Sequence, residues 1–140
     1  MFTATTSAKD SARHAPSLLT GTLPRATASV GVVAAAATTT GAAVLRVAGV
    51  PLAVHGTIPL AGFAQITFIA AVLGGVLLTV LNRRSRAPRQ RFIQMTAGLT
   101  ALSCVAPAAF ADTTASKVAL VALHLVAAAI IVPVLERHAD

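Results

Sequence analysis

Five arginines fall within the ten residues 82–91 (NRRSRAPRQR), and an uncharged apolar run flanks them on each side, residues 58–81 before and 92–111 after. Each run is about long enough to cross the roughly 30 Å hydrocarbon core of a bilayer as a helix. Short arginine-rich connections between spans stay on the cytoplasmic side, because carrying them across the membrane is costly. This block therefore predicts a membrane protein and also fixes its orientation. It says nothing of an activity.

Composition agrees with that reading. Hydrophobic residues make up 56% of the 140 and charged residues 11%, where soluble domains carry roughly a quarter charged. Eleven Lys and Arg against four Asp and Glu raise the question of nucleic acid. The placement of the bases answers it: they occupy a tail and one loop, with no aromatic platform between them, so no nucleic-acid partner is expected. Trp and Tyr are absent, which removes the usual interfacial anchors. Phe63, Phe92 and Phe110 lie near predicted span ends and substitute only in part. Cys104 is the single cysteine, so neither an internal disulfide nor a CxxC redox pair is available. The heavy use of Ala and Arg with two lysines matches a high-GC bacterial coding bias, which is an association only.

Residues 1–25 are polar, rich in Ser, Thr and Ala, and broken by Pro16 and Pro24. They read as a disordered cytoplasmic tail, and their basic, acid-poor character also fits a transit peptide. Residues 26–137 form one four-span domain, with spans at about 26–46, 59–81, 91–110 and 115–135. The first span is Ala, Thr, Val and Gly, with Thr38, Thr39 and Thr40 in succession. A helix so rich in small residues is expected inside the bundle, its hydroxyls bonding to its own backbone or to a neighbour. Arg46 has to end that helix and reach the surface. The second span carries the small-residue pairs Ala70/Gly74 and Ala71/Gly75, a spacing that permits close helix approach. With the tail and the arginine loop inside, Lys9, Arg13, Arg25, Arg83, Arg84, Arg86, Arg89, Arg91 and Arg137 are cytoplasmic, and only Arg46 and Lys117 lie outside. Four spans with both termini in the cytoplasm satisfy the positive-inside rule at every connection. The expected fold class is all-α, an integral membrane four-helix bundle in the plasma membrane with a disordered N-terminal tail.

The approach to the fourth span and the span itself, TASKVALVALHLVAAAIIVP, place Lys117, His124 and Pro133 along one apolar helix. Together with the basic loop and Pro107, over residues 26–137, they resemble domain-of-unknown-function family 6069. The resemblance implies a small bacterial four-helix membrane protein and brings no catalytic or ligand-binding residue with it.

The polar groups in or near the membrane are few. Gln65 lies roughly 9 Å below the outer end of its span, Cys104 about as deep, and His124 about 12–14 Å deep, at 1.5 Å per helical residue. Arg46 and Asp112 bound the same side. His124, Gln65 and Cys104 are thus candidates for a polar pocket open to the exterior, with Arg46 and Asp112 as an ion pair at its rim. Each also fits a purely structural role. An imidazole is satisfied by one threonine or carbonyl, an amide commonly joins membrane helices, and a buried cysteine behaves as a small hydrophobe. No ligand spacing supports a metal site from His124, Cys104, His55 and Asp112, and no cofactor is expected. Arg83, Arg84, Arg86, Arg89 and Arg91 either fix topology alone or also bind anionic lipid headgroups.

Three functions compete. A non-enzymatic helper or structural subunit, working with a membrane partner or with copies of itself, suits the small-residue helices. A small oligomeric transporter or channel would use His124, the one titratable group within a span near neutral pH. An enzyme or redox carrier lacks paired carboxylates, a Ser/His/Asp set and a bis-histidine haem arrangement. The expectation is a non-enzyme, in that order of preference.

Overall fold

Within hydrocarbon every backbone N–H and C=O must find its partner inside the chain, and for uncharged runs of this length the α-helix is the solution. The computed structural model describes residues 21–139, and its helices are α1 (Thr22–Val47), α2 (Leu60–Arg84), α3 (Pro88–Phe110) and α4 (Thr114–Glu136). All four are long and apolar enough to cross a membrane. The protein is an integral membrane four-helix bundle, as the charge pattern predicts. Of the expected tail, residues 1–20 lie outside the described residues.

The helix ends differ from the expected bounds for local reasons. α1 begins at Thr22 rather than 26, because Pro24 sits in the first turn, where a helix has no use for the missing N–H. That extra turn brings Leu23 against the cluster at the same end of the bundle. α2 continues through Arg83 and Arg84, whose charge suits the negative end of the helix dipole. α3 opens at Pro88, with the ring at its first helical position. The arginine block is thus two helix ends joined by Ser85, Arg86 and Ala87. α4 begins on a true cap, the Thr113 hydroxyl accepting from the Ser116 N–H at 3.1 Å.

Successive helices run antiparallel, and α1 packs along α2 and α4. The α1–α2 seam is its closest approach. Thr27 lies against Gly75, and a Cβ at Gly31 would stand 3.2 Å from the Ala71 Cβ and 3.0 Å from the Phe68 ring. Of the two small-residue pairs, Ala71/Gly75 makes this seam, and Gly74 faces Leu135 on α4. α1, expected inside the bundle, packs along both α2 and α4 through Thr27, Val30, Gly31, Ala34, Thr38 and Ala42, while Val32, Val33 and Val44 face outward. Small residues let it press against two neighbours without being enclosed by a third.

Two apolar clusters hold the ends of the bundle. The one at the arginine end joins Val30, Ala71, Leu78, Phe92, Ile131 and Leu135. The far one joins Ala42, Ala111, Ala119, Leu120 and Leu123 with Leu52 from the α1–α2 connection. That connection folds back on itself: the Ile58 N–H donates to the Leu52 carbonyl at 3.2 Å, and the turn between them places His55 and Gly56 at positive φ. α3 is the least embedded helix, burying only Pro88, Phe92 and Pro107. It lies along α4 and touches α2 sparingly.

Candidate functional site

Because α3 stands off from α2, the bundle keeps a cleft between these two helices with α4 as its floor. The cleft comprises two cavities of about 330 and 400 Å³, one toward each end of the bundle, and Ala70, Ser103, His124 and Ala127 line both. Volumes of this order are typical of ligand pockets, at roughly 300–1,000 Å³. The lining is mostly apolar, and helical spacing accounts for it. Phe63, Thr67, Ala70, Gly74 and Leu77 form one stripe of α2, and Leu120, His124, Ala127 and Ile131 form one stripe of α4. Small side chains at the two crossing points, Ala70 and Ala127, leave the space open.

Thr38, Thr67, Ser103 and His124 gather near mid-height, and Thr96 lies closer to the arginine end, one turn from Phe92. Thr38 and Thr67 join α1 to α2 through a buried contact of 3.0 Å between their hydroxyl oxygens. The Thr38 hydroxyl donates to the Ala34 carbonyl at 3.0 Å, so Thr67 is the donor of the pair. This is the bonding both within and between helices that the threonine run leads one to expect, although the neighbouring Thr39 Oγ1 is buried without a partner among the described residues. The His124 Nδ1 lies 2.8 Å from the Leu120 carbonyl of the preceding turn. A carbonyl only accepts, so Nδ1 carries the proton, and in the neutral ring Nε2 is a lone-pair acceptor. Ser103 sits opposite on α3, four residues before Pro107. Pro107 has no N–H to return to the Ser103 carbonyl, so that helix bond is missing on the face that lines the cleft.

His124 lies near the middle of α4, at about the depth expected of it. The other expected site residues are placed differently. Gln65 is exposed on α2, Cys104 is half-buried on α3, and neither lines the cleft with His124. Arg46 and Asp112 do not pair. The Asp112 carboxylate accepts from the His55 backbone N–H at 3.3 Å, and its own N–H donates to the Ala53 carbonyl at 3.3 Å. The α1–α2 turn therefore claims the acid. Arg46 is drawn in beside Gly49, Val50 and Pro51, its Nε and Nη2 buried without partners among the described residues. Among the described residues the one ion pair is Arg89 with Glu136, at 3.3 Å. Arg83, Arg84, Arg86, Arg89 and Arg91 are all exposed, and Arg25 and Arg137 share their end of the bundle. His138, just past the end of α4, holds Nδ1 3.0 Å from the Val134 carbonyl, and its own carbonyl accepts from Asn82. Among the described residues no three His, Cys, Asp or Glu side chains gather to hold a metal.

Sequence reasoning missed Ser103 and Thr67. The signal for Ser103 was present in Pro107 four residues later. Nothing local marks Thr67, whose partner lies on another helix.

Residues 19–140 match the model of a family described as a family of unknown function (DUF6069). No curated protein matches the chain, and no solved structure matches it.

Proposed function

The chain belongs to the family of unknown function DUF6069, and from that premise we propose that it is a non-enzymatic, four-span protein of a bacterial plasma membrane, an accessory subunit that binds from within the bilayer. The observation that carries this reading is the stance of α3. With three buried residues and few contacts to α2, it leaves a mostly apolar cleft opening sideways between helices. A solute path needs a polar lining that runs from one end to the other. Here an apolar cluster closes each end, and the polar groups sit between them.

Both termini face the cytoplasm in this reading. Arg25, Arg83, Arg84, Arg86, Arg89, Arg91 and Arg137 lie at one end of the bundle, and Arg46 and Lys117 at the other, which supports retention of the arginine end inside. Exposed guanidinium groups there are placed to meet anionic headgroups, each contributing about 1 kcal/mol near the surface. A membrane protein partner, or a second copy of the chain, would complete the assembly.

The test is extraction of the tagged chain from native membranes into polymer-bounded discs, followed by quantification of everything that accompanies it. The wild type should carry a companion in fixed ratio, and Ala127→Trp, which fills the cleft, should lose it. Bulk lipid alone in the wild type, under several extractions, would end the accessory reading. The oligomeric transporter remains the second reading because His124 sits where the two cavities meet. It requires that His124→Leu abolish a flux measured in proteoliposomes.

A further inference from the structure

We propose that the α2–α3–α4 cleft is a binding site for a neutral long-chain lipophile with a free hydroxyl, a long-chain alcohol or quinol, whose hydroxyl donates to His124 Nε2 at mid-membrane. This rests on the cleft reading above and names the chemistry of its occupant.

The depth comes first. His124 is the tenth residue after Thr114, which at 1.5 Å per residue puts it about 15 Å from the end of α4. That is half of a hydrocarbon core of roughly 30 Å. No water is at hand there to complete a ring nitrogen. Nδ1 is spent on the Leu120 carbonyl, and Nε2 has no hydrogen-bond partner among the described residues. The Ser103 carbonyl, deprived of a helix partner by Pro107, is a second acceptor on the opposite wall. An acyl chain offers neither of them a proton, and acceptors left unsatisfied in hydrocarbon are costly. A hydroxyl supplies the one donor that His124 Nε2 lacks.

Charge and shape restrict the occupant further. Among the described residues no Asp, Glu, Lys or Arg lines either cavity, so an ionised headgroup would be held at the membrane centre without a counter-charge. A phospholipid is therefore excluded as the specific occupant, although its tails reach this depth. The two cavities run away from His124 toward opposite ends of the bundle, with apolar walls such as Phe63 and Phe110 on one side and Leu99 and Ile131 on the other. They receive the chain while the hydroxyl stays at the junction.

The experiment uses the full chain in phosphatidylcholine nanodiscs and two photoreactive probes, a diazirine-bearing hexadecanol and its methyl ether. The alcohol should label residues of α2, α3 and α4 around the cleft. The ether, which cannot donate, should label them about fivefold less, the ratio expected of one net hydrogen bond. His124→Leu should lower alcohol labelling to the level of the ether, and His124→Gln, which keeps an acceptor, should retain most of it. Helicity and monodispersity of each variant report on folding, and the comparison of alcohol with ether in the wild type does not depend on any variant. Equal labelling by both probes within the cleft would overturn the hydroxyl assignment while leaving the cleft as a binding site. Labelling scattered over the outward face of α1 would overturn the cleft itself.

Discussion

A Cβ added at Gly75 runs into the Thr27 side chain, whereas one added at Gly98 meets nothing within 4 Å. Overpacking a well-fitted interface costs about 1–3 kcal/mol, and replacing a helical glycine by alanine returns up to about 1 kcal/mol. Gly75→Ala should therefore destabilise the bundle by up to about 2 kcal/mol in a reversible unfolding titration. Thr27→Ala in the same chain should recover more than half of that loss, since the pair shares one contact. Gly98→Ala should instead stabilise by about 0.5–1 kcal/mol. Thr67→Val removes the hydroxyl that donates to Thr38 and should cost about 0.6 kcal/mol, at most about 1.7, the range for hydrogen bonds between membrane helices. Single residues were legible where their chemistry is local. His124 stands out in sequence as an imidazole within a span, and Pro107 marks the carbonyl four residues before it. The partner of Asp112 was not legible, because it is a backbone N–H presented by a turn with His55 and Gly56 at positive φ. No spacing rule reports such a turn to a residue so far along the chain.

At the scale of the helix, α3 behaves differently from the other three. Phe92 is wholly buried and anchors the arginine end of α3 in the cluster of Leu78, Ile131 and Leu135. The Arg89–Glu136 pair beside it is 67% exposed on the arginine side and contributes about 0–1 kcal/mol. Phe92→Ala should therefore cost about 3–5 kcal/mol, while Glu136→Gln leaves the unfolding midpoint nearly unchanged. Hydrogen exchange in the Phe92→Ala protein should rise in α3 before it rises in α1 or α2. Equal acceleration in all four helices would show that α3 is no separate unit. The existence of the four helices was legible because uncharged runs of this length leave the backbone no other solution in lipid. Their ends were blurred by Pro24 and Pro88, which interrupt a helix in its middle and begin one at its edge. The lean of α3 was not legible for a deeper reason. In hydrocarbon a leucine facing lipid and a leucine facing protein are nearly equivalent, so α3 carries no amphipathic pattern that says which face it buries. The cleft exists because of that lean, and it could not be read ahead of the fold.

For the whole molecule, the distribution of charge has to agree with the arrangement of the helices. Because successive helices are antiparallel, the start of α1, the α2–α3 turn and the end of α4 share one end of the bundle. Seven bases of the described chain collect there. Arg46 and Lys117 at the other end are partly covered by the folded-back connection and the start of α4. Translocating one strongly basic turn is disfavoured at about 2.5–3.5 kcal/mol for each arginine forced to the helix centre, so a block of five is expected to set the direction of the hairpin it joins. Two probes read this directly in a Cys104→Ala background, where no native thiol competes. Ala87→Cys, exposed in the arginine turn, should react with a membrane-impermeant maleimide only after cells are opened. Thr57→Cys, exposed in the opposite connection, should react in intact cells. Replacing Arg83, Arg84, Arg86, Arg89 and Arg91 by glutamine should then produce a mixed population in which both cysteines label from outside in part. The remaining bases expected on that side, Lys9, Arg13, Arg25 and Arg137, should hold some chains in the original sense. If the glutamine variant kept a single orientation, the arginine block would not be what directs insertion. If Ala87→Cys labelled from outside in the otherwise wild-type chain, the bundle would be inverted, and the exposed guanidinium groups would face no cytoplasmic headgroups at all.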